Sequence, residues 1–276
     1  MVMKAKCHVD FDSAPSFIRL PNPGHTIDEK VAEIAAYFKR SGFNKAVIGL
    51  SGGVDSALAA ALTAEAIGSK NLIAVRLPYE HINDRSTIIA EAVAQSMGLP
   101  DANLVTIDIT EQVNSVWEQV KVYPGGDGRL RIGNIAARMR MVVLMDQSAI
   151  HHALLVGTEN LTEHYLSYFT MGGDNVSSFE PIRNNWKTQV FQMAAAIGSP
   201  DEVLSRDPSA EFWVGQTDEK ELRVPYAKMD IILACEFVNF RERAEDNGVT
   251  AQEKAIVLEH VNKVVGKRDT PYILSR

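Results

Sequence analysis

This sequence has little cysteine, no long apolar run and no excess of positive charge, and each shortage removes a class of function. Its 276 residues include two cysteines, Cys7 and Cys235. They are far apart and lack metal-ligand spacing, so neither a disulfide framework nor a zinc site is expected. No uninterrupted apolar stretch approaches the ~20 residues needed to span a bilayer. The opening MVMKAKCHVDFD has no apolar signal core, so a cytoplasmic protein without a membrane partner is expected. The net charge of −7 argues against nucleic acid, whose binders need basic surface to displace counterions. Neither the Gly-Lys-Ser/Thr ending of a Walker A loop nor GxGxxG is present at the chain's main glycine turn.

What the chain has is apolar content, 46% of residues, enough to bury a full core. We read residues 26–276 as one domain preceded by an irregular arm, 1–25, broken by Pro15, Pro21 and Pro23. Thr26 with Glu29 reads as a capping box, and Val31, Ile34, Ala35 and Phe38 supply helical spacing up to Gly42. The centre of the chain is KAVIGLSGGVDSALAAAL, Lys45 to Leu62. Ala46 to Leu50 is too short for a helix and suits a strand buried on both faces. A Ser-Gly-Gly turn follows, then a helix from Val54 to Ile67 stopped by Gly68.

The alternation continues. Strands are expected at Leu72–Leu77, Leu104–Ile107 and Ala153–Val156. Helices are expected at about Arg85–Met97, Thr110–Val122, from Ile132, Trp186–Ile197, Tyr226–Phe240, and from a Thr250/Glu253 capping box to Val265. Strands and helices at this spacing imply an α/β fold with a doubly wound parallel sheet flanked by helices, and ligands at the carboxyl ends of its strands.

A strand, glycine turn and helix make an anion site, because free N–H groups and the positive end of the helix dipole both face the turn. Gly52 and Gly53 let the backbone approach a phosphate, and Ser51 and Ser56 add donors. Asp55 would repel a phosphate unless a divalent cation lay between them, which predicts Mg²⁺. The alternative reading is a plain turn shaped by glycine. Arg76, at the next strand's end, reads either as a nucleotide contact or as a rim residue reaching for water. In RLRIGNIAARMRM, helical spacing puts Asn134, Arg138 and Met141 near one stripe and points Arg140 elsewhere. That stripe either holds a second polar ligand or belongs to a solvated amphipathic helix. Thr158 and Glu163 follow a buried strand, where they suit nucleotide and metal, while Thr158 and Asn160 also suit helix capping. Lys187 in a first helical turn calls for a compensating anion. His151, His152 and His164 read as structural.

SGGVDS resembles the pyrophosphate loop of the N-type ATP pyrophosphatases. RLPY at Arg76, N-I-x-A-R-x-R-M at Asn134, GT with Glu163 five residues after the Thr, YFTMGGD at Tyr168, Lys187, PSAEFW–GQTDE and the GKRDTP tail resemble, in order, the NAD synthetases within that group. The resemblance covers the chain from Tyr37 onward. It implies that ATP and ammonia convert the carboxylate of deamido-NAD into an amide through an AMP ester. It also implies a homodimer, with the dinucleotide site across the subunit interface. By the same resemblance, Ser51, Gly52, Gly53, Val54, Asp55, Ser56, Arg76, Thr158, Lys187 and Ser209 bind ATP, and Asp55 and Glu163 hold Mg²⁺. Asp55, Glu163 and Lys187 are the catalytic set, and Tyr37, Asn134, Arg138, Asp174 and Lys267 bind the acceptor. Met171 stands where the family usually has a Lys, Ser178 where it has an Asp, Gly266 where it has a His and Arg223 where it has a Gly. These departures keep two other expectations open: a paralogue that amidates a different acid, and an idle ATP-binding or regulatory protein.

Overall fold

The computed structural model describes residues 7–80, 84–213, 215–238, 241–263 and 265–268. The helix end expected at Phe240 and the tail residues Asp269 to Pro271 lie outside the described residues. Among the described residues four short strands, β1 (Ala46–Gly49), β2 (Leu72–Arg76), β3 (Leu104–Thr106) and β4 (Leu154–Val156), form one parallel sheet in the order β3-β2-β1-β4. The register aligns Ala46 with Leu72 on one side and with Leu154 on the other. The first strand is therefore central, and its carboxyl end opens between two neighbours. A lone parallel bridge, Val156 to Phe179, continues the sheet past β4.

Strand alternation divides the core. Ala46, Ile48, Leu72, Ala74 and Val156 pack with the helix side chains Ile34, Phe38, Leu58, Leu62 and Phe191, while Val47, Ile73, Val75 and Leu155 face Val113 and Ala136. Successive side chains of a strand point to opposite faces, so a strand with no polar residue is covered on both. Ile48 is wholly buried, and a side chain of that kind contributes about 1.5–3 kcal/mol by leaving water.

The helices are α1 (Pro23–Ser41), α2 (Val54–Ile67), α3 (Asp84–Ser96), α4 (Thr110–Val120), α5 (Gly128–His151), α6 (Leu161–Leu166), α7 (Lys187–Ala196), α8 (Asp201–Leu204), α9 (Asp218–Leu222), α10 (Tyr226–Phe237), α11 (Ala251–Lys263) and α12 (Val265–Arg268). Helix α1 does not begin with the expected Thr26/Glu29 box. Its cap is Asn22, whose side chain accepts from the His25 amide at 3.2 Å, with Pro23 at the first helical position. Asn followed by Pro wins because proline has no N–H to satisfy there. Thr26 is left inside the helix. The Thr250/Glu253 box does form: the Thr250 amide donates to Glu253 at 2.8 Å and the Glu253 amide donates to Thr250 at 3.2 Å. Helix α5 begins four residues before the expected Ile132, because Asp127 caps it by accepting from the Arg129 amide at 2.8 Å.

The arm before α1 is not bare coil. Ser16–Ile18 forms a 3-10 turn, Val9 and Ile18 are buried, and the His8 amide donates to the Leu204 carbonyl at 2.8 Å.

Candidate active site

The turn after β1 is braced by its own hydroxyls. Ser51 Oγ and Ser56 Oγ lie 3.0 Å apart, Ser56 donates to the Gly53 carbonyl at 3.1 Å, and the Gly53 amide donates to Ser51 Oγ at 3.2 Å. Gly52 has φ +77°, and a Cβ there would stand 2.7 Å from the Ser86 carbonyl oxygen. Both facts require glycine. The serines thus do two things: they set the loop's shape and stand at its rim.

Beyond the loop, three charges from three helices meet. Asp55 lies in the first turn of α2, Glu163 in the first turn of α6, and Lys187 opens α7. Lys187 Nζ donates to Asp55 Oδ2 at 2.5 Å and to Glu163 Oε1 at 2.9 Å. The lysine is 2% exposed, and a buried ammonium needs such partners. Burial pushes its pKa down, and the two carboxylates outweigh burial, so it stands above the ordinary lysine value. Burial raises the Glu163 carboxyl, with Lys187 opposing and Asp55 reinforcing. The anion that the sequence required at the start of α7 is therefore this carboxylate pair.

Two further groups hold the triad in place. Asn160 caps α6, accepting from the Glu163 amide at 3.0 Å, and its side-chain amide donates to Asp55 Oδ1 at 2.8 Å. Buried Asp230 accepts from the Thr188 amide at 2.7 Å and from the Thr162 hydroxyl at 2.5 Å, while Thr162 accepts from the Lys187 amide at 2.9 Å. Asp230 therefore ties the starts of α6 and α7 to α10. Burial pushes its carboxyl up to about 6.

A cavity of about 280 Å³ collects these elements at the carboxyl ends of β1, β2 and β4. Ser51, Gly53, Val54, Asp55, Ser56, Arg76, Thr158, Glu163, Lys187 and Ser209 all line it. Gly52 turns away, toward α3. Arg76 is held at the rim by Thr106 at 2.9 Å and Glu91 at 2.5 Å. Thr158 lines the wall and is not the cap of α6, a role taken by Asn160 alone.

The acceptor-side candidates gather on the segment 167–178. Asn134 accepts from the Thr170 hydroxyl at 2.8 Å, Asp174 from the Thr170 amide at 2.6 Å, and Arg138 donates to the Met171 carbonyl at 3.0 Å. Lys267 donates to the carbonyls of Ser167, at 2.8 Å, and Phe169, and Tyr37 donates to that of Ser178 at 3.3 Å. Of these five, Asp174 alone lines the cavity that the Ser51–Ser56 turn shares. Arg140 points away from Asn134 and Arg138, as helical spacing leads one to expect, whereas Met141, expected on their stripe, lines the cavity with Arg140. Arg140 lines the cavity, anchored by its Nε to the Leu77 carbonyl at 3.1 Å, while Arg138 is exposed on the neighbouring face. Spacing alone gives the relative angle of two helical residues and leaves open which of them faces the sheet.

Sequence reasoning also missed Asp218. It is buried at the cavity wall, accepting from Tyr226 at 2.9 Å, Tyr168 at 3.3 Å and the Ala210 amide at 3.1 Å. Its presence within GQTDE was visible, but no periodicity marked it. His164 contacts Glu159 at 3.1 Å and Arg183 at 2.8 Å.

A glycine turn, an acidic pair and a lysine around a cavity at the open ends of a parallel sheet place the chain among the α/β proteins with a site where the strands end. Within that class the chain belongs to the NAD synthase family, whose sequence model matches residues 26–271. It is 38% identical over 206 residues to the NH(3)-dependent NAD(+) synthetase of Fusobacterium nucleatum, covering 75% of this chain and 77% of that one. It is 42% identical over 192 residues to that of Trichlorobacter lovleyi, covering 70% and 68%. Among solved structures it is similar to the NMN synthetase of Francisella tularensis, with a TM-score of 0.80, 26% identity, and coverage of 92% of this chain and 98% of that one.

Proposed function

We propose that this chain is a ligase that makes NAD by amidating deamido-NAD with ammonia at the expense of ATP. The observation that carries the reading is the Asp55–Lys187–Glu163 cluster at the mouth of the Ser51–Ser56 loop, in a chain of this family. A carboxylate oxygen of the acceptor bonds to the α-phosphorus while the bond to pyrophosphate breaks. Ammonia nitrogen then bonds to the acyl carbon, loses a proton, and AMP departs. The loop amides orient the triphosphate, and Lys187 supplies positive charge where the departing oxygens gather it.

The residues fit a divalent cation. Two carboxylates share one lysine, which leaves the pair net negative, and both offer hard oxygen donors of the kind Mg²⁺ takes together with nucleotide phosphates. Asp55 and Glu163 would hold the ion. When bound it would neutralise charge on the leaving pyrophosphate.

A second reading is supported by the acceptor side. Met171 is 39% exposed and brings no charge. Ser178 spends its hydroxyl on the Leu155 amide at 3.1 Å, and Gly266 has no side chain. With less charge to meet a dinucleotide, and a similarity to an NMN synthetase, the acceptor would be the corresponding mononucleotide acid. Incubation with ATP, Mg²⁺ and ammonium plus either acid separates the readings: the first requires faster AMP release and NAD formation with deamido-NAD, the second faster amidation of the mononucleotide. ATP cleavage with neither acid would contradict both.

A homodimer is part of the proposal. Val142, Met145 and Ile150 leave apolar surface exposed on α5, the helix that also carries Asn134 and Arg138, and a second copy is the occupant that would complete an acceptor site there. Among the described residues no helix is long and apolar enough to cross a membrane, and we place the enzyme in the cytoplasm with its substrates.

A further inference from the structure

The loop that follows α8 carries an arginine across the phosphate loop. Arg206 lines the same cavity as Ser51, Gly53 and Lys187. Its Nη1 lies 3.3 Å from the point where a Cβ on Gly52 would be, so the guanidinium rests against the turn itself. Its other terminal nitrogen, Nη2, donates to Ser86 Oγ at 2.7 Å and to Glu211. Ser86 in turn donates to Glu211 at 2.6 Å. Among the described residues the hydrogen bonds of Arg206 run through Nη2, while Nη1 faces the glycine turn. The side chain is 15% exposed and that of Glu211 is 18% exposed.

This arrangement holds a long cation rigidly in a place where a surface arginine would not be held. Glu211 has a left-handed backbone, φ +52°, which is costly for a non-glycine residue and recurs where geometry serves function. An arginine fork presents several donors at fixed angles, which suits phosphate oxygens. Clamping one nitrogen removes the rotamer freedom that a phosphate would otherwise have to freeze.

We infer that Arg206 is a phosphate-binding residue for the pyrophosphate half of ATP, and that Glu211 and Ser86 are positioning residues that aim it. The inference rests on the adenylation reading above and deepens it. Arg206 meets the β- and γ-phosphates beside the glycine turn, and keeps its contacts as the bond to the α-phosphorus breaks.

The test is calorimetric binding of ATP, pyrophosphate and AMP to the full chain and to R206Q, a variant that retains a donor for Ser86 and Glu211. Roughly ten- to hundredfold weaker binding of ATP and pyrophosphate, with AMP affinity unchanged, is expected for the loss of charge-assisted bonds. E211Q should weaken pyrophosphate binding less than R206Q, because it loosens the aim and keeps the charge. Equal affinities of wild type and R206Q for pyrophosphate, or an equal loss for AMP, would overturn the inference while leaving the adenylation reading intact. Failure of the wild-type chain to bind ATP at all would overturn both.

Discussion

The side-chain amide of Asn160 lies 2.8 Å from Asp55 Oδ1, which makes the cap of α6 and the carboxylate that follows the glycine turn one unit. Asn160→Ala removes the cap and that contact together. Loss of the cap alone costs about 1–2 kcal/mol. Because Asp55 and Glu163 both lose their orientation, kcat should fall roughly ten- to hundredfold while the fold survives. Steady-state kinetics beside chemical denaturation checks this.

Lys187→Met leaves two carboxylates facing each other in a buried site. Breaking a buried pair in this way costs about 3–5 kcal/mol, and the charge that would meet the leaving group in the proposed reaction is lost. We expect a lowered denaturation midpoint and a roughly hundred- to thousandfold loss of turnover, of the order seen when one strong electrostatic contact to a transition state is removed. Asp55→Ala should abolish turnover with milder destabilisation, since Lys187 keeps Glu163. A Lys187→Met enzyme of near-normal rate would remove the lysine from the scheme.

Gly52→Ala tests the turn. A φ of +77° and a 2.7 Å approach of the new Cβ to the Ser86 carbonyl together should cost about 1–3 kcal/mol or more. ATP binding, followed by calorimetry, should be lost before the fold is.

His8 links the arm to the active-site loop through Asp207 at 3.1 Å and Glu219 at 3.4 Å. The hydrogen bond to Glu219 raises its pKa above the ordinary histidine value, burial opposes, and Asp207 adds to the rise. A raised histidine stabilises the fold fully below the unfolded value of about 6.5 and loses that contribution as pH climbs through the folded value. The melting temperature of wild type should therefore exceed that of H8Q most below pH about 6.5, by the equivalent of about 1 kcal/mol. The gap should close as pH rises. A gap that widened with pH would contradict the clip.

The strand, turn and helix around Ser51 were legible because an apolar run, two glycines and an alanine-rich helix agree with one another. The carboxyl-end location of the site followed from the parallel alternation. Other features were not legible because they depend on packing. Asn22 displaced Thr26 as a cap because the neighbouring proline, not the box pattern, sets the helix start. Which of Arg140 and Arg138 lines the cavity was hidden, because helical spacing gives angles without saying which face meets the sheet. Asp55 and Glu163 were read as metal ligands and Lys187 as a phosphate contact, and their mutual ion pairs appear only when α2, α6 and α7 converge. Arg206 and Glu211, five residues apart on an aperiodic loop, carry no signal until that loop crosses Gly52.

The most direct test of the account follows oxygen. Deamido-NAD whose carboxylate carries heavy oxygen, incubated with the enzyme, ATP, Mg²⁺ and ammonium, should transfer one labelled oxygen to AMP for each amide formed. Label appearing in inorganic phosphate with release of ADP, or amide formed without label in AMP, would contradict activation of the acid as its AMP ester.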